Sequence, residues 1–121
     1  MAGVQSLKDL IAWQRGMSMC VQVYRFSATF PEHERFGLQA QIRRAAVSVP
    51  SNIAEGFGRQ NPTDMSRFLR IARGSLFEVR THIELAHQLG YSAHEQAPDD
   101  IVDETDRVLQ GLIRSLAQRS Q

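Results

Sequence analysis

Apolar residues along this chain recur at spacings of three and four, and no stretch alternates apolar and polar residues for more than a few positions. That period belongs to helices, and it predicts an all-α fold without internal repeats. A first helix is predicted from about Leu7 to Ala28, with Ser6 and Asp9 as a capping box. Leu10, Trp13, Met17, Cys20 and Tyr24 form its apolar stripe, widened by Val21 and Ala28, and Phe30-Pro31 ends it. A second helix is predicted from Phe36 to about Phe57, with Leu38, Ile42, Ala45, Val49 and Ile53 on its apolar face. Pro50 lies inside this run. It has no N–H, so the carbonyl of Ala46 loses its usual donor and the helix should kink. The apolar phase continues across the proline, which favours one bent helix over two short ones.

Gly58-Arg59-Gln60-Asn61-Pro62 is the clearest punctuation in the chain. Asn61 suits an N-cap, Pro62 the first helical position, and Asp64 the positive end of the helix. The third helix should then reach Leu89. Its Met65, Phe68, Leu69, Ala72, Leu76, Val79, Ile83 and Ala86 fall within an arc of about 100° at 3.6 residues per turn. Gly90 can take the positive φ that stops it. After a linker and Pro98, Ile101, Val102, Val108, Leu109, Leu112 and Leu116 build the last helix. Four amphipathic helices joined by short connections predict an antiparallel up-down four-helix bundle with a kinked second helix.

The 121 residues make one domain, 1–121, and their 42% hydrophobic and 22% charged content is that of a globular chain. Cys20 has no internal disulfide partner, no run is long enough to span a bilayer, and the first residues lack the apolar core of a secretion signal. A cytoplasmic location is the expectation. The net charge of +1 hides an uneven distribution: residues 1–90 carry eleven Lys/Arg against seven Asp/Glu, and residues 91–121 carry three against six. Thirteen of the fourteen basic residues are arginine, whose planar fork suits phosphate or carboxylate.

Three features exceed what a bundle core requires. Arg67, Arg70, Arg73 and Arg80 share an arc of the third helix beside its apolar stripe. They read either as a solvated face, with Glu84 four residues after Arg80 as its partner, or as an anion-binding surface. Gln41, Arg44, Ser48, Asn52, Glu55 and Arg59 form a polar stripe on the second helix, either a packed hydrogen-bonded seam or ordinary exposed positions. Ile71, Phe77 and Leu85 on the third helix, with Val47, Pro50 and Ala54 on the second, give both helices a second partly apolar face that favours subunit packing.

Catalytic and metal-binding constellations are absent from the pattern. His82 and His87 are five apart and do not share a helix face, and His33 and His94 fall in predicted loops away from any cysteine. Cys20 reads as a core residue, Glu32 and Glu34 beside His33 as a solvated turn, and Gly56-Phe57-Gly58 as a helix end rather than a phosphate loop. No cofactor, metal or catalytic residue is expected, and the protein is read as a non-enzyme.

Three segments carry a resemblance: Asp9-Leu10-Ile11-Ala12-Trp13-Gln14, the long run from Gln41-Ile42-Arg43-Arg44 through Ser48-Val49-Pro50-Ser51-Asn52-Ile53-Ala54-Glu55-Gly56, and Arg67-Phe68-Leu69 through Ala72-Arg73-Gly74-Ser75-Leu76. Leu89-Gly90-Tyr91 and the segment Gly111 to Leu116 extend it. In these the chain resembles the four-helix bundle proteins encoded in intervening sequences of bacterial 23S ribosomal RNA genes. It departs in the linker after Tyr91 and at Arg80, where the family often has an acidic residue. The resemblance implies a ring-like homopentamer, and the family is similar to the accessory protein of diversity-generating retroelements, a pentamer that works with a reverse transcriptase and binds nucleic acid. The resulting expectation is a homo-oligomer that binds RNA or DNA, ribosomal RNA included, through Arg43, Arg44, Arg59, Arg67, Arg70 and Arg73. Ser48, Pro50, Asn52, Glu55 and Phe77 are expected at subunit contacts. The alternative is a scaffold for an unidentified protein partner, with the arginines spent in subunit contacts.

Overall fold

A computed structural model describes residues 3–91 and 96–119. It contains four α-helices, α1 (Ile11–Ser27), α2 (Leu38–Gly58), α3 (Pro62–Gln88) and α4 (Asp99–Arg119), with short 3-10 turns at Leu7–Asp9 and Glu32–Glu34. No strand occurs among the described residues. Each helix packs on its chain neighbours, most extensively α2 on α3, and α4 returns to α1, closing a four-helix bundle. Opposed positions run in reverse order: Ser27 meets Arg43 while Cys20 meets Ala46, and Ser48 meets Ser75 while Gly56 meets Met65. Sequential helices are therefore antiparallel.

The local signals act where they stand in the sequence. The Asp9 carboxylate accepts the N–H groups of Gln5 and Ser6 at 3.1 and 3.0 Å, and these bonds pull its pKa down. Asp9 closes only a 3-10 turn, however, and the α-helix proper begins at Ile11 rather than Leu7. Asn61 Oδ1 accepts the N–H of Asp64 at 3.1 Å, with Pro62 in the first turn. At the far end of α3, Gly90 takes φ +74° and lets the N–H of Tyr91 reach the carbonyl of Ala86 at 3.0 Å. Tyr91 then donates to Glu34 Oε2, while Glu34 Oε1 accepts the N–H of Leu38 at 2.9 Å. One carboxylate thus caps α2 and holds the α3 terminus. Phe36, expected to open the second helix, is instead 87% exposed ahead of it.

The third and second helices bury the faces their periodicity predicts. The first does not. Ala12, Gly16, Met19, Cys20, Val23 and Phe26 are buried, whereas Met17, Val21 and Tyr24 are exposed. α1 carries apolar residues around most of its circumference, so periodicity alone leaves its inward face ambiguous. Small residues decide the matter: a Cβ on Gly16 would lie 3.4 Å from Pro50 Cβ, so Gly16 is where α1 and α2 come close. In α4, Val102, Leu109 and Leu116 form the buried line, seven residues apart, with Thr105 and Asp106 buried beside them.

Pro50 sits inside one uninterrupted α2 and is buried. The carbonyl of Ala46, which the missing proline N–H leaves unpaired within the helix, accepts from the Cys20 thiol at 3.0 Å. Burial pushes the Cys20 pKa up to about 12, so the group remains a neutral donor. Replacing Cys20 by alanine should lower stability by about 1–3 kcal/mol, because a buried carbonyl is left without a partner. Cys20→Ser, which keeps a donor, should lose clearly less. Thermal melts of the two variants compare them, and equal losses would mean that the thiol acts by packing alone.

Candidate nucleic-acid interface

The six arginines singled out in the sequence are separated by the fold onto different sides of the bundle. Arg43 belongs to the junction of α1 and α2: its Nε donates to Ser27 Oγ at 2.8 Å, its Nη2 to the carbonyl of Tyr24 at 3.2 Å, and its guanidinium lies 4.6 Å from the Tyr24 ring centroid. These contacts commit it within the chain. Arg44 is exposed on the opposite flank of α2, beside an open polar cleft against α3 lined by Gln41, Ser48, Ser75, Glu78 and His82. Burial lowers the His82 pKa, with the Glu78 charge opposing, and His82 Nδ1 is buried without a partner.

The polar stripe of α2 supplies an intramolecular seam. Ser48 and Ser75 share a hydrogen bond of 2.8 Å, and Asn52 donates to the Ser48 carbonyl and hydroxyl at 2.8 and 3.0 Å. Pro50, expected at a subunit contact, is buried against α1 within the chain, where Gly16 makes room for it. Glu55 is exposed and pairs with Arg59 at 3.2 Å. Phe77 is about half exposed on the other side of α3, its ring centroid 5.0 and 5.5 Å from the guanidinium carbons of Arg73 and Arg80.

Arg67, Arg70 and Arg73 converge on the groove between α3 and α4. Its upper part is lined by Arg73, Gly74, Phe77 and Gln110, and its lower part by Arg70, Ile113 and Arg114, running on to Ser66, Arg67 and Ala117. Gly74 has open space where a side chain would stand, which leaves the groove shallow and accessible. Beyond it, Phe68 is flanked by Arg67 and Arg59, whose guanidinium carbons lie 4.5 and 5.0 Å from the ring centroid. Arg114 is a site residue that sequence reasoning misses. A signal for it exists: Asp103, Asp106, Gln110 and Arg114 recur at spacings of three and four, the counterpart on α4 of the arginine stripe on α3.

Charge divides this groove in two. Arg73 Nε donates to Asp106 Oδ1 at 2.7 Å, Arg80 pairs with Asp103 at 2.5 Å and with Asp106 at 3.5 Å, and Gln110 donates to Asp106 Oδ2 at 2.9 Å. Arg80 therefore pairs across to α4 and not with Glu84, which accepts from Gln88 instead. The acidic last helix turns these carboxylates inward, onto α3, and Glu104 likewise meets Arg15 at 2.6 Å. Among the described residues, no carboxylate lies within ion-pair distance of Arg67, Arg70 or Arg114. Arg70 donates to the Ser66 hydroxyl at 3.3 Å. One end of the groove is neutralised and the other is cationic.

No group of three or more His, Cys, Asp or Glu side chains among the described residues could hold a metal ion, and none of their helices is long and apolar enough to cross a membrane. His94 lies outside the described residues.

Burial raises the pKa of Asp106, but the hydrogen bonds from Arg73 and Gln110 and the charges of Arg73 and Arg80 outweigh it, and the net shift is downward from 3.8. A carboxyl held more acidic when folded stabilises the fold above its unfolded pKa and loses that contribution as pH falls through its folded value. Stability should therefore fall on acidification below about pH 4. Asp106→Asn should flatten that part of the curve, as measured by denaturant melts across pH. An unchanged acid limb would place the acid sensitivity at other carboxylates.

No curated protein matches this chain. Residues 8–114 match the family described as 23S rRNA-intervening sequence protein. That match covers all four helices except the end of the last, and the chain belongs to the 23S rRNA-intervening sequence protein family.

Proposed function

We propose that the protein is a non-catalytic, self-associating module that binds RNA or DNA through the groove between α3 and α4. The observation that carries this reading is the gathering of Arg67, Arg70 and Arg114 around an open groove with no carboxylate in ion-pair contact with them among the described residues. Guanidinium groups without a carboxylate partner can give their donors to phosphate, and half-exposed Phe77 and exposed Ile71 border them with apolar surface. Contacts of this kind bind the backbone and carry little sequence information, so binding is strongly salt-dependent and tolerant of sequence. A patch of three arginines is small. Repeated around a ring-like oligomer, which the family resemblance suggests to be a pentamer, it gains by avidity. The family's link to insertions in ribosomal RNA genes makes structured ribosomal RNA a natural first probe.

Fluorescence anisotropy with labelled RNA and with a DNA duplex tests the assignment. Arg67→Glu, Arg70→Glu and Arg114→Glu should each weaken binding at least about tenfold, and each corresponding alanine variant should lower the slope of log affinity against log salt by about 1. Arg43→Gln, in a sample that light scattering shows to keep the parent's mass, should leave the slope unchanged, because its guanidinium is spent on Ser27 and Tyr24. Equal effects at Arg43 and Arg70 would remove the groove from consideration.

Self-association is favoured by apolar side chains that the single chain leaves exposed. Met17, Val21 and Tyr24 line one face of α1 at spacings of four and three, and Arg43 stacks on Tyr24 from α2, one turn before exposed Val47. Ile71 and Leu85 are exposed on α3. Charged substitutions at Val47 or Leu85, both exposed and outside the groove, should lower the mass seen by light scattering without melting the helices. If the groove arginine variants dissociate the oligomer instead, the arginines serve subunit contacts and the scaffold reading replaces nucleic-acid binding.

A further inference from the structure

The geometry points to a built-in limit on the nucleic-acid footprint: Asp103 and Asp106 occupy, as intramolecular carboxylates, the donors on Arg73 and Arg80 that a phosphate backbone would otherwise take. The inference rests on the groove being the nucleic-acid site.

Arg70, Arg73 and Arg80, with Phe77 between the last two, form one stripe on α3 about 15 Å long at 1.5 Å per residue. Nothing in the spacing distinguishes its upper half from its lower half. The difference comes wholly from α4. Asp106 is only 7% exposed and is held from three sides, by Arg73, Arg80 and Gln110. Asp103 is roughly half exposed and pairs with Arg80. Two arginines thus face two carboxylates in the upper half, whereas Arg67, Arg70 and Arg114 face none among the described residues.

The upper half is neutral without being saturated. Arg80 Nε is buried without a hydrogen-bond partner, and the Arg73 and Arg80 side chains each keep about a third of their surface exposed. Both guanidinium groups border the same groove as Arg70 or its rim at Phe77. A strand lying on the lower arginines and continuing along the groove would meet carboxylates that both repel it and compete for the forks beneath. α4 therefore ends the phosphate contacts near Phe77. Removing a carboxylate charge extends them, with no change to the arginines themselves.

The experiment measures binding of the full chain to a labelled single-stranded RNA and to a labelled DNA duplex across a salt series, with circular dichroism to show that each variant is folded. Asp103→Asn is the principal variant, because that side chain is half exposed and tolerates the change; Asp106→Asn is the second. Each released arginine should steepen the salt slope by roughly 0.9 on the duplex and roughly 0.7 on the single strand. Arg80→Gln added to Asp103→Asn should return the slope to that of the parent. Asp100→Asn is the charge control: it removes an equal charge from an exposed position on α4, and should leave the slope unchanged. If the parent binds and Arg70→Glu abolishes binding, yet folded Asp103→Asn has an unchanged slope, the limit is overturned while the groove assignment stands. The limit is overturned as well if Asp100→Asn steepens the slope as much as Asp103→Asn. If neither the parent nor any variant binds either probe, the groove assignment falls and this inference falls with it.

Discussion

Arg73 and Arg80 of α3 share the buried carboxylate of Asp106 on α4, and much of the surface chemistry of this bundle depends on that arrangement. A carboxylate taken so far out of water costs free energy unless its lone pairs are used and its charge is matched. Two guanidinium groups and the Gln110 amide meet both demands. In doing so they draw the acidic last helix onto the arginine-bearing third helix. The charge imbalance between the two parts of the sequence is thereby resolved inside one chain, and the arginines beyond the reach of α4's carboxylates are left as the cationic end of the groove.

A second constraint lies between α1 and α2. Pro50 interrupts the hydrogen-bond ladder of α2, and the fold answers with a thiol from the neighbouring helix rather than with a helix break. The absence of a side chain on Gly16 lets the backbones approach at the same level. Together these contacts bring Gly16 and Cys20 inward and turn Met17, Val21 and Tyr24 outward. An exposed apolar face on α1 is thus a consequence of how the proline is accommodated.

The candidate site is half legible in the sequence. Arg67 and Arg70 are readable because they stand on a helix whose apolar phase is unambiguous, so their outward direction follows from the period. Arg43 and Arg73 lie on equally well-phased helices, yet their guanidinium groups are committed to Ser27, Tyr24 and Asp106. An arginine side chain is long enough to reach a neighbouring helix, and its Cα position does not say whether it does. Arg114 is illegible for the complementary reason: on α4 it follows a run of acidic residues, and only the antiparallel pairing with α3 sets it beside Arg70.

What the sequence by itself determined is everything that rests on near neighbours along the chain. The helical period, the Asn61 cap, the Pro62 start and the Gly90 stop are decided within one or two turns, and the bounds of α3 follow from them almost to the residue. Tertiary structure alone decided which face of α1 turns inward, which carboxylate answers which arginine, and what replaces the donor that Pro50 lacks. Those outcomes depend on the distance between helices and on the direction of long side chains. Both are set only when four apolar faces compete for one core.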